Sequence, residues 1–331
     1  MKSPALATVR GFLLLLNQLS ELERFRGERM TLDECESVFK EALACSTESQ
    51  FCNVIEPLFD FYEILSLGLG RGSIYWRARV VEDRPYSNIM DLDYPPAELV
   101  KAGRLNDLGV PCFYISTAKE TAISEVHARE GDVVQIAGFR IKSDQIVRLA
   151  VVGEYSNVQR TGYVSLGGND PDLTISKYLN QMPQEQALLM LYIDRFFAHI
   201  LADPKASESD YRFSRALGDS IYGKCAADGI AFPSVRDRGG FNMAIKAIPS
   251  DSAFHNVACV LANVGRSRMF GMVEFDVFRS AQRLDSDDNF IWMPECSSTI
   301  GIYGLTKEEF EKSRGASGSS ATLLDLVHGG S

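Results

Sequence analysis

The sequence lacks the motifs by which several classes of enzyme are recognised. Its seven cysteines are an odd number without a C-x-x-C pair, so we expect reduced thiols rather than a disulfide framework. Its four histidines show neither an H-E-x-x-H pair nor Cys/His ligand spacing, and no metal site is predicted. The nucleophile elbow G-x-S-x-G is also absent, which removes the best sequence evidence for a serine hydrolase.

Long apolar runs and an excess of positive charge are missing as well. The longest apolar run near the start covers residues 12–16, which is too short for a membrane span or a signal peptide, so we expect a cytoplasmic protein. Lysine and arginine total 34 against 44 acidic residues, which gives a net charge of -10. Because such a molecule repels phosphate backbones, no direct nucleic-acid partner is expected, and an anionic substrate needs a local cluster of cations.

The composition is that of a globular protein with one main domain and an appendage. Of the 331 residues, 45% are apolar and 24% are charged. Residues 1–68 predict a helical N-terminal domain, because a capping box at Thr31 and Glu34 follows leucines at helical spacing, namely Leu13, Leu16, Leu19 and Leu22. Three glycines within residues 68–72 predict a connector, and a domain boundary near residue 70 follows.

Residues 72–312 predict a second domain of short strands with two longer helices. The expected strands cover residues 74–81, 112–116, 133–141, 146–152 and 230–234, and the expected helices cover residues 184–201 and 209–227. The strands and helices do not alternate steadily, which favours an α+β fold with a mixed sheet over a doubly wound parallel sheet. Residues 313–331 are predicted to form a flexible C-terminal tail.

Two basic segments are candidates for a binding site. The strand around Arg77 reads Tyr-Trp-Arg-Ala-Arg-Val, and its period of two places Arg77 and Arg79 on one face with apolar groups behind them. That face is either the wall of an anion pocket or a solvated surface. The second segment is a glycine-led turn, Gly-Arg-Leu-Asn, which presents Arg104 and Asn106.

Two further segments carry polar groups beside apolar ones. A strand that includes Tyr114 precedes a helix that a capping box at Thr117 and Glu120 is predicted to start. Glu125 falls on the small-residue side of that helix, so its carboxylate is expected to be used in a site or paired with a core arginine. Ser234 ends a short apolar strand, where it either closes a turn or belongs to the same site.

Taken together, these segments resemble the RES domain family, named for an arginine, a glutamate and a serine. The resemblance covers roughly residues 72–250. The residues that match the motifs of the family, in chain order, are Arg77, Arg104, Tyr114, Glu125 and Ser234. Each motif is short, and their order and spacing carry the resemblance.

The resemblance implies an α+β fold related to ADP-ribosyltransferases, with two mixed β-sheets around a cleft. It also implies a toxin of a toxin–antitoxin pair that consumes NAD+ as a substrate, by hydrolysis or phosphorolysis, without a cofactor. The implied partner is an antitoxin with an Xre-like helix-turn-helix domain. The N-terminal helices are similar to the HEPN-like extensions of longer RES proteins. The first histidine is His127, so the extension lacks the motif of a ribonuclease and is expected to be structural or regulatory.

The resemblance also implies a role for each matched residue. Glu125 would stabilise positive charge on the ribose, Ser234 would orient the ribose or Glu125, and Tyr114 would stack on the nicotinamide. Arg77 and Arg104 would hold the pyrophosphate, with Asn106 beside them, and Arg79 remains an alternative to Arg77 because the two share a face. An ADP-ribosyltransferase with a macromolecular acceptor and a non-enzymatic binding module are the alternatives, and the oligomeric state stays open.

Overall fold

The computed structural model describes residues 30–166, 173–237, 239–268 and 272–293, together with the backbone of residues 12–14, 168–169 and 298–303. The predicted tail at residues 313–331 lies outside this part of the chain, as do three of the four leucines of the expected first helix. The described helices are α1 (Leu32–Ala44), α2 (Glu48–Ile55), α3 (Lys119–Glu125), α4 (Tyr155–Thr161), α5 (Thr174–Gln181), α6 (Gln184–Leu201), α7 (Arg212–Lys224) and α8 (Ala247–Ala253).

The described strands lie mostly between residues 65 and 303. They are β1 (Phe12–Leu14), β2 (Leu65–Leu69), β3 (Tyr75–Val81), β4 (Cys112–Ser116), β5 (Val133–Ile141), β6 (Val147–Val151), β7 (Tyr163–Val164), β8 (Gly168–Asn169), β9 (Gly229–Pro233), β10 (Phe241–Lys246), β11 (Phe254–Ser267), β12 (Met272–Leu284), β13 (Phe290–Trp292) and β14 (Ser298–Tyr303). The predicted α+β class is confirmed, and β4, β5 and α6 have the predicted bounds.

Twelve of these strands form one hydrogen-bonded sheet, and β7 pairs with β8 separately. The order in the sheet is β1-β2-β6-β9-β10-β4-β3-β5-β11-β12-β13, with β14 also paired to β12. Strands β6 and β9 run parallel, and the other described pairs are antiparallel. The sheet is therefore mixed, as the sequence predicts.

The two sheets expected on either side of a cleft are joined at a single point. Strands β3 and β4 share one register pair, Trp76 with Ser116, whereas β3 pairs with β5 along its whole length. The sheet thus has two halves. One half contains β1, β2, β6, β9, β10 and β4, and the other contains β3, β5, β11, β12, β13 and β14. Because the strands part beside this pair, their side chains can line a cleft.

The N-terminal helices pack on the rest of the molecule rather than standing apart. Phe39 of α1 stacks on Phe196 of α6 with ring centroids 4.1 Å apart, and Phe51 of α2 contacts Phe213 of α7 at 5.0 Å. The expected domain limit at residue 68 falls inside β2, which pairs with β6 in the sheet. The helices before it share the main apolar core with the strands.

Two local expectations are wrong, and both fail through long-range pairing. Leu13, expected in a helix, lies in β1, whose backbone pairs with β2. Thr117 does not cap α3, because its hydroxyl is paired with the backbone of Phe241. By contrast, the capping box between Thr31 and Glu34 is confirmed at the start of α1.

No helix in the described ranges has both the length and the apolar character needed to cross a membrane.

Candidate active site

A cleft of about 310 Å³ opens where β3 and β4 part. This volume lies at the lower end of the range of about 300–1,000 Å³ that is usual for small-molecule sites. Strands, loops and helix α3 line it with Trp76, Arg77, Ala78, Gly103, Arg104, Tyr114, Ile115, Ser116, Ala122, Glu125, Val126, Tyr211, Phe232 and Asn242. Arg77, Arg104, Tyr114 and Glu125, four of the predicted site residues, therefore meet at one surface.

Glu125 is the acidic group of the cleft, and one of its oxygens is held by two donors. It is the last residue of α3, and it is half-buried. Its Oε1 accepts a hydrogen bond from the Ser234 hydroxyl at 2.6 Å and another from Asn242 Nδ2 at 2.7 Å. Within the described residues no donor is paired with Oε2, so this oxygen is available to a molecule in the cleft.

Ser234 reaches Glu125 because a turn fixes its hydroxyl. Its Oγ accepts hydrogen bonds from the backbone N–H of Arg236 at 3.1 Å and of Asp237 at 3.0 Å. With both acceptor directions occupied by N–H groups, the hydroxyl hydrogen is directed at Glu125. Ser234 thus closes a turn and supports the site at once, which combines the two interpretations that the sequence left open.

Arg77 contributes a guanidinium that forms no ion pair with an acidic side chain among the described residues. Its Nη1 donates to the backbone carbonyl of Tyr114 at 2.7 Å, and its Cζ lies 5.8 Å from the centre of the Phe113 ring. Burial, with a smaller contribution from Arg79, lowers the pKa of Arg77 to about 10. The group is still protonated at neutral pH.

Arg104 faces the same cleft from the turn at residues 103–106. Its Nη1 donates to the carbonyl oxygens of Leu201 at 3.1 Å and Asp203 at 2.8 Å. Burial lowers the pKa of Arg104, and the negative charge of Glu125 opposes that shift. The sequence places Arg104 more than twenty residues before Glu125, and the fold brings both side chains to the same cleft.

Tyr114 ties the Arg104 turn to β4. Its hydroxyl donates to Asn106 Oδ1 at 2.9 Å and accepts from the backbone N–H of Leu105 at 2.9 Å. A side chain at Gly103 would collide with this pair, because its Cβ would lie 2.4 Å from Asn106 Oδ1 and 3.1 Å from the Tyr114 hydroxyl. The turn therefore needs glycine at residue 103.

Two of the predicted binding residues do not line the cleft. Arg79 donates to the carbonyl oxygen of Asp93 at 2.7 Å, on the same strand face as Arg77 but farther along β3. Asn106 is buried, with its amide on the carbonyl oxygens of Lys101 and Asp107 at 3.0 Å each. Asn106 shapes the turn that presents Arg104, whereas Arg79 holds a neighbouring loop.

Comparison with known families agrees with this arrangement. The family model of the RES domain matches residues 74–262, which is more than half of the chain. The chain belongs to the RES domain family. The match begins at β3 and ends within β11, so the N-terminal helices and the last three strands lie outside it. No curated protein shows a significant sequence match to the chain.

Asn242 is a residue of this RES domain site that the sequence prediction missed. It is 8% exposed, and it lies opposite Ser116 on the paired strands β10 and β4. The Ser116 hydroxyl donates to Asn242 Oδ1 at 2.7 Å, which directs the amide N–H group at Glu125. A polar side chain beside the apolar residues 243–245 of β10 was the available signal, since such a group needs a partner when buried.

Tyr211 is the second missed residue. It precedes α7, lines the cleft and lies against Arg104, whose Cζ is 5.6 Å from its ring centre. Tyr211 and the preceding Asp210 both have left-handed backbone angles, with φ of 55° and 52°. Such angles are uncommon for residues other than glycine and often mark a functional site.

The two arginines of the cleft are hydrogen-bonded to backbone carbonyl groups and not to carboxylates of the described residues. None of the described ion pairs includes Arg77 or Arg104, whose recorded partners are carbonyl oxygens. Partly buried guanidinium groups without a carboxylate are well suited to an anionic ligand. In the part of the chain that the structure describes, no group of three or more His, Cys, Asp and Glu side chains could hold a metal ion.

Proposed function

We propose that this RES domain degrades NAD+ by cleaving the glycosidic bond between nicotinamide and ribose, by hydrolysis or phosphorolysis. One observation carries the proposal: the anchored carboxylate of Glu125 and the guanidinium groups of Arg77 and Arg104 line the same cleft. NAD+ offers a matching pair of features, a pyrophosphate that carries negative charge and a ribose that becomes positive as its glycosidic bond breaks. Membership in the RES family supports the proposal independently.

In this proposal the arginines hold the pyrophosphate. Arg77 uses Nη1 for the Tyr114 carbonyl, and Arg104 uses Nη1 for two carbonyl oxygens, so each keeps other N–H donors for phosphate oxygens. A hydrogen bond to a charged group typically contributes about 1.5–3 kcal/mol. These local contacts offset the repulsion that a protein of net charge -10 exerts on a dinucleotide.

Glu125 acts on the reacting ribose. Breaking the bond to nicotinamide passes through a state with oxocarbenium character, which a nearby carboxylate stabilises. Ser234 and Asn242 fix Oε1, so Oε2 faces the substrate, where it accepts a hydrogen bond from a ribose hydroxyl and opposes the developing positive charge. The bond electrons leave with nicotinamide, and water or phosphate then attacks the ribose carbon.

The aromatic rings of the cleft hold the nicotinamide. The pyridinium of NAD+ is positively charged, and cations are attracted to ring faces by about 0.5–2 kcal/mol. Tyr114 lines the cleft with its hydroxyl already bonded to the Arg104 turn, so its ring is held in place before substrate binds. Tyr114 is therefore proposed to stack on the nicotinamide.

A protein partner completes the proposal. RES domains typically occur in toxin–antitoxin pairs, so we expect an antitoxin with an Xre-like domain to block the cleft of this chain in the cytoplasm. The loop that carries Arg104 also exposes three apolar side chains, those of Leu99, Leu108 and Val110. Exposed apolar groups next to a functional cleft are common at protein interfaces.

Product analysis with the purified protein tests the proposed reaction. Incubation with NAD+ should release nicotinamide, together with ADP-ribose in water or its phosphorylated form when phosphate is the acceptor. Glu125→Ala should lose this activity, and cells that express the wild type should lose NAD+ whereas cells that express Glu125→Ala should not. If NAD+ labelled in its ADP-ribose part leaves the label on a macromolecule, the reaction is ADP-ribosyl transfer rather than hydrolysis. Intact NAD+ after prolonged incubation would contradict the proposal.

A further inference from the structure

Arg215 connects three segments that are distant in the sequence. It lies in the first turn of α7, and its Nε is 2.8 Å from Asp107 Oδ1. Its Nη2 is 3.3 Å from Glu48 Oε1, and its Nη1 donates to the backbone carbonyl of Asp210 and lies 3.7 Å from that residue's Oδ2. One guanidinium thus joins α2 of the N-terminal helices, the loop after Arg104 and the residue before Tyr211.

Two of these partners are close in sequence to residues that line the cleft. Asp107 ends the loop that presents Arg104, and Asp210 immediately precedes Tyr211, whose ring lies against Arg104. Both Asp210 and Tyr211 have left-handed backbone angles, which residues with a side chain adopt only when their surroundings hold them. The contacts of Arg215 with the backbone carbonyl and the carboxylate of Asp210 can hold Asp210 and Tyr211 in this conformation.

The network differs from an isolated surface ion pair in the number of partners that share one guanidinium. The side chain of Arg215 is 14% exposed, whereas those of Glu48 and Asp107 are 49% and 64% exposed. A single pair with so exposed a partner contributes little. Here three acidic partners share one mostly buried guanidinium, whose planar donors fix their relative positions.

We propose that Arg215 is a positioning residue, which couples the N-terminal helices to the wall formed by Arg104 and Tyr211 and thereby sets the affinity of the cleft for its substrate. The N-terminal helices then support the binding site rather than act as a separate effector. The substrate in this inference rests on the proposed NAD+ reaction, and the coupling itself does not.

A pair of matched variants tests this role. Arg215→Met removes the charge and keeps most of the aliphatic stem. Arg212→Met is its control, because Arg212 lies in the same helix and donates to the Ser46 carbonyl of the N-terminal segment at 2.5 Å without a recorded contact to the cleft loops. Arg215→Met should raise KM for NAD+ about fivefold, which corresponds to about 1 kcal/mol, with kcat changed less than about twofold.

The control variant and two others separate positioning from simple loss of stability. Arg212→Met should leave KM within about twofold even if both variants lower Tm equally. Arg215→Lys should recover part of the loss, and Glu48→Gln, which removes only the N-terminal contact, should raise KM by a smaller factor than Arg215→Met. Equal KM values for Arg215→Met and Arg212→Met, or a fall in kcat alone, would overturn the inference.

Hydrogen exchange gives a readout that does not depend on the reaction. Arg215→Met and Glu48→Gln should each speed exchange at residues 103–107 and at Asp210 and Tyr211, and Arg212→Met should not. If the wild type does not cleave NAD+ but this pattern is found, the proposed function fails and the coupling stands. If exchange in both segments is the same in Arg215→Met and Arg212→Met, the coupling is refuted whatever the activity.

Discussion

Glu125 and the pair Asp194 and Glu154 are carboxylates with opposite surroundings. Glu125 borders the cleft, with Oε1 held by two side chains and Oε2 open to a ligand. Asp194 and Glu154 are fully buried in the core. Asp194 accepts from the Tyr62 hydroxyl at 2.9 Å and from the backbone N–H of Gly153 at 2.8 Å, which ties the segment after the N-terminal helices to α6.

The difference separates a carboxylate that a ligand in the cleft can reach from two that it cannot. Burial raises the pKa of Asp194 to about 6 and that of Glu154 to about 7, and Glu154 Oε2 has no hydrogen-bond partner among the described residues. Neither side chain is open to a substrate. Asp194 and Glu154 are therefore structural groups of the core, whereas Glu125 is distinguished by its access to the cleft and by the two arginines that line the same cleft.

The largest expected effect separates these two sites by activity. Glu125→Gln keeps the shape of the side chain and removes the charge, so kcat for NAD+ cleavage should fall by about 10²–10³, the usual cost of one preorganised electrostatic contact. Binding of NAD+, measured by calorimetry, should change much less. Glu120→Gln, on the same helix but outside the cleft, should retain activity. Near-normal turnover by Glu125→Gln would show that the Glu125 carboxylate, like the buried Asp194 and Glu154, has no role in the reaction.

The next effect concerns the cationic side of the cleft. Arg77→Met should raise KM for NAD+ by about 10–100-fold, because it removes charge-assisted bonds to the pyrophosphate. Arg79→Met is the matched control, since it lies on the same face of β3 but holds the Asp93 carbonyl outside the cleft. Steady-state kinetics of both variants decide between the two arginines. A larger increase in KM for Arg79→Met would assign the pyrophosphate to Arg79.

The pH dependence of the free energy of unfolding tests the buried carboxyl group of Glu154. The raised pKa of Glu154 means that the folded state binds its proton more tightly than the unfolded state. Its contribution to stability is thus complete below about pH 4.5 and is lost as pH rises towards 7, which lowers the free energy of unfolding by about 2 kcal/mol between pH 5 and 8.

Glu154→Gln should reduce this pH dependence most clearly above about pH 6, because Asp194, whose pKa is about 6, contributes mainly at lower pH. It should leave NAD+ cleavage unchanged, whereas Glu125→Gln should keep the dependence and lose activity. Denaturant unfolding at several pH values measures the slope. The same slope in the wild type and in Glu154→Gln would show that this carboxyl is not the source.

The smallest expected effect lies at the support of Glu125. Asn242→Ala removes one of the two donors to Oε1, so kcat should fall about tenfold while KM changes little. Ser116→Ala, which only frees the Asn242 amide to turn, should cost less. A change in KM alone for Asn242→Ala would place this residue in substrate binding instead.

Regular elements were predictable where the signal is local. The bounds of α6, β4 and β5 follow from hydrophobic periodicity and β-propensity, and the capping box of α1 follows from two residues of one turn. The start of α7 was placed too early, because Asp210 and Tyr211 adopt left-handed angles that the periodicity does not reveal.

The site was only partly predictable, because it depends on contacts between distant segments. Motif order indicated Arg77, Arg104 and Glu125, and the structure brings them to one cleft. The same reasoning did not find Asn242, whose role depends on its register opposite Ser116. Alternation along a strand also cannot tell Arg77 from Arg79, since both lie on one face and the cleft reaches only one of them.

The proposed reaction requires one cleft to hold the nicotinamide ribose of NAD+ at Glu125 and the pyrophosphate of the same molecule at Arg77 and Arg104. A crystal structure of the Glu125→Gln protein with NAD+ tests it most directly, because slow turnover should leave the dinucleotide intact. The account predicts the pyrophosphate within hydrogen-bond distance of Arg77 and Arg104 and the nicotinamide ribose against the side chain at position 125. NAD+ bound elsewhere, or a saturated crystal with an empty cleft, would contradict it.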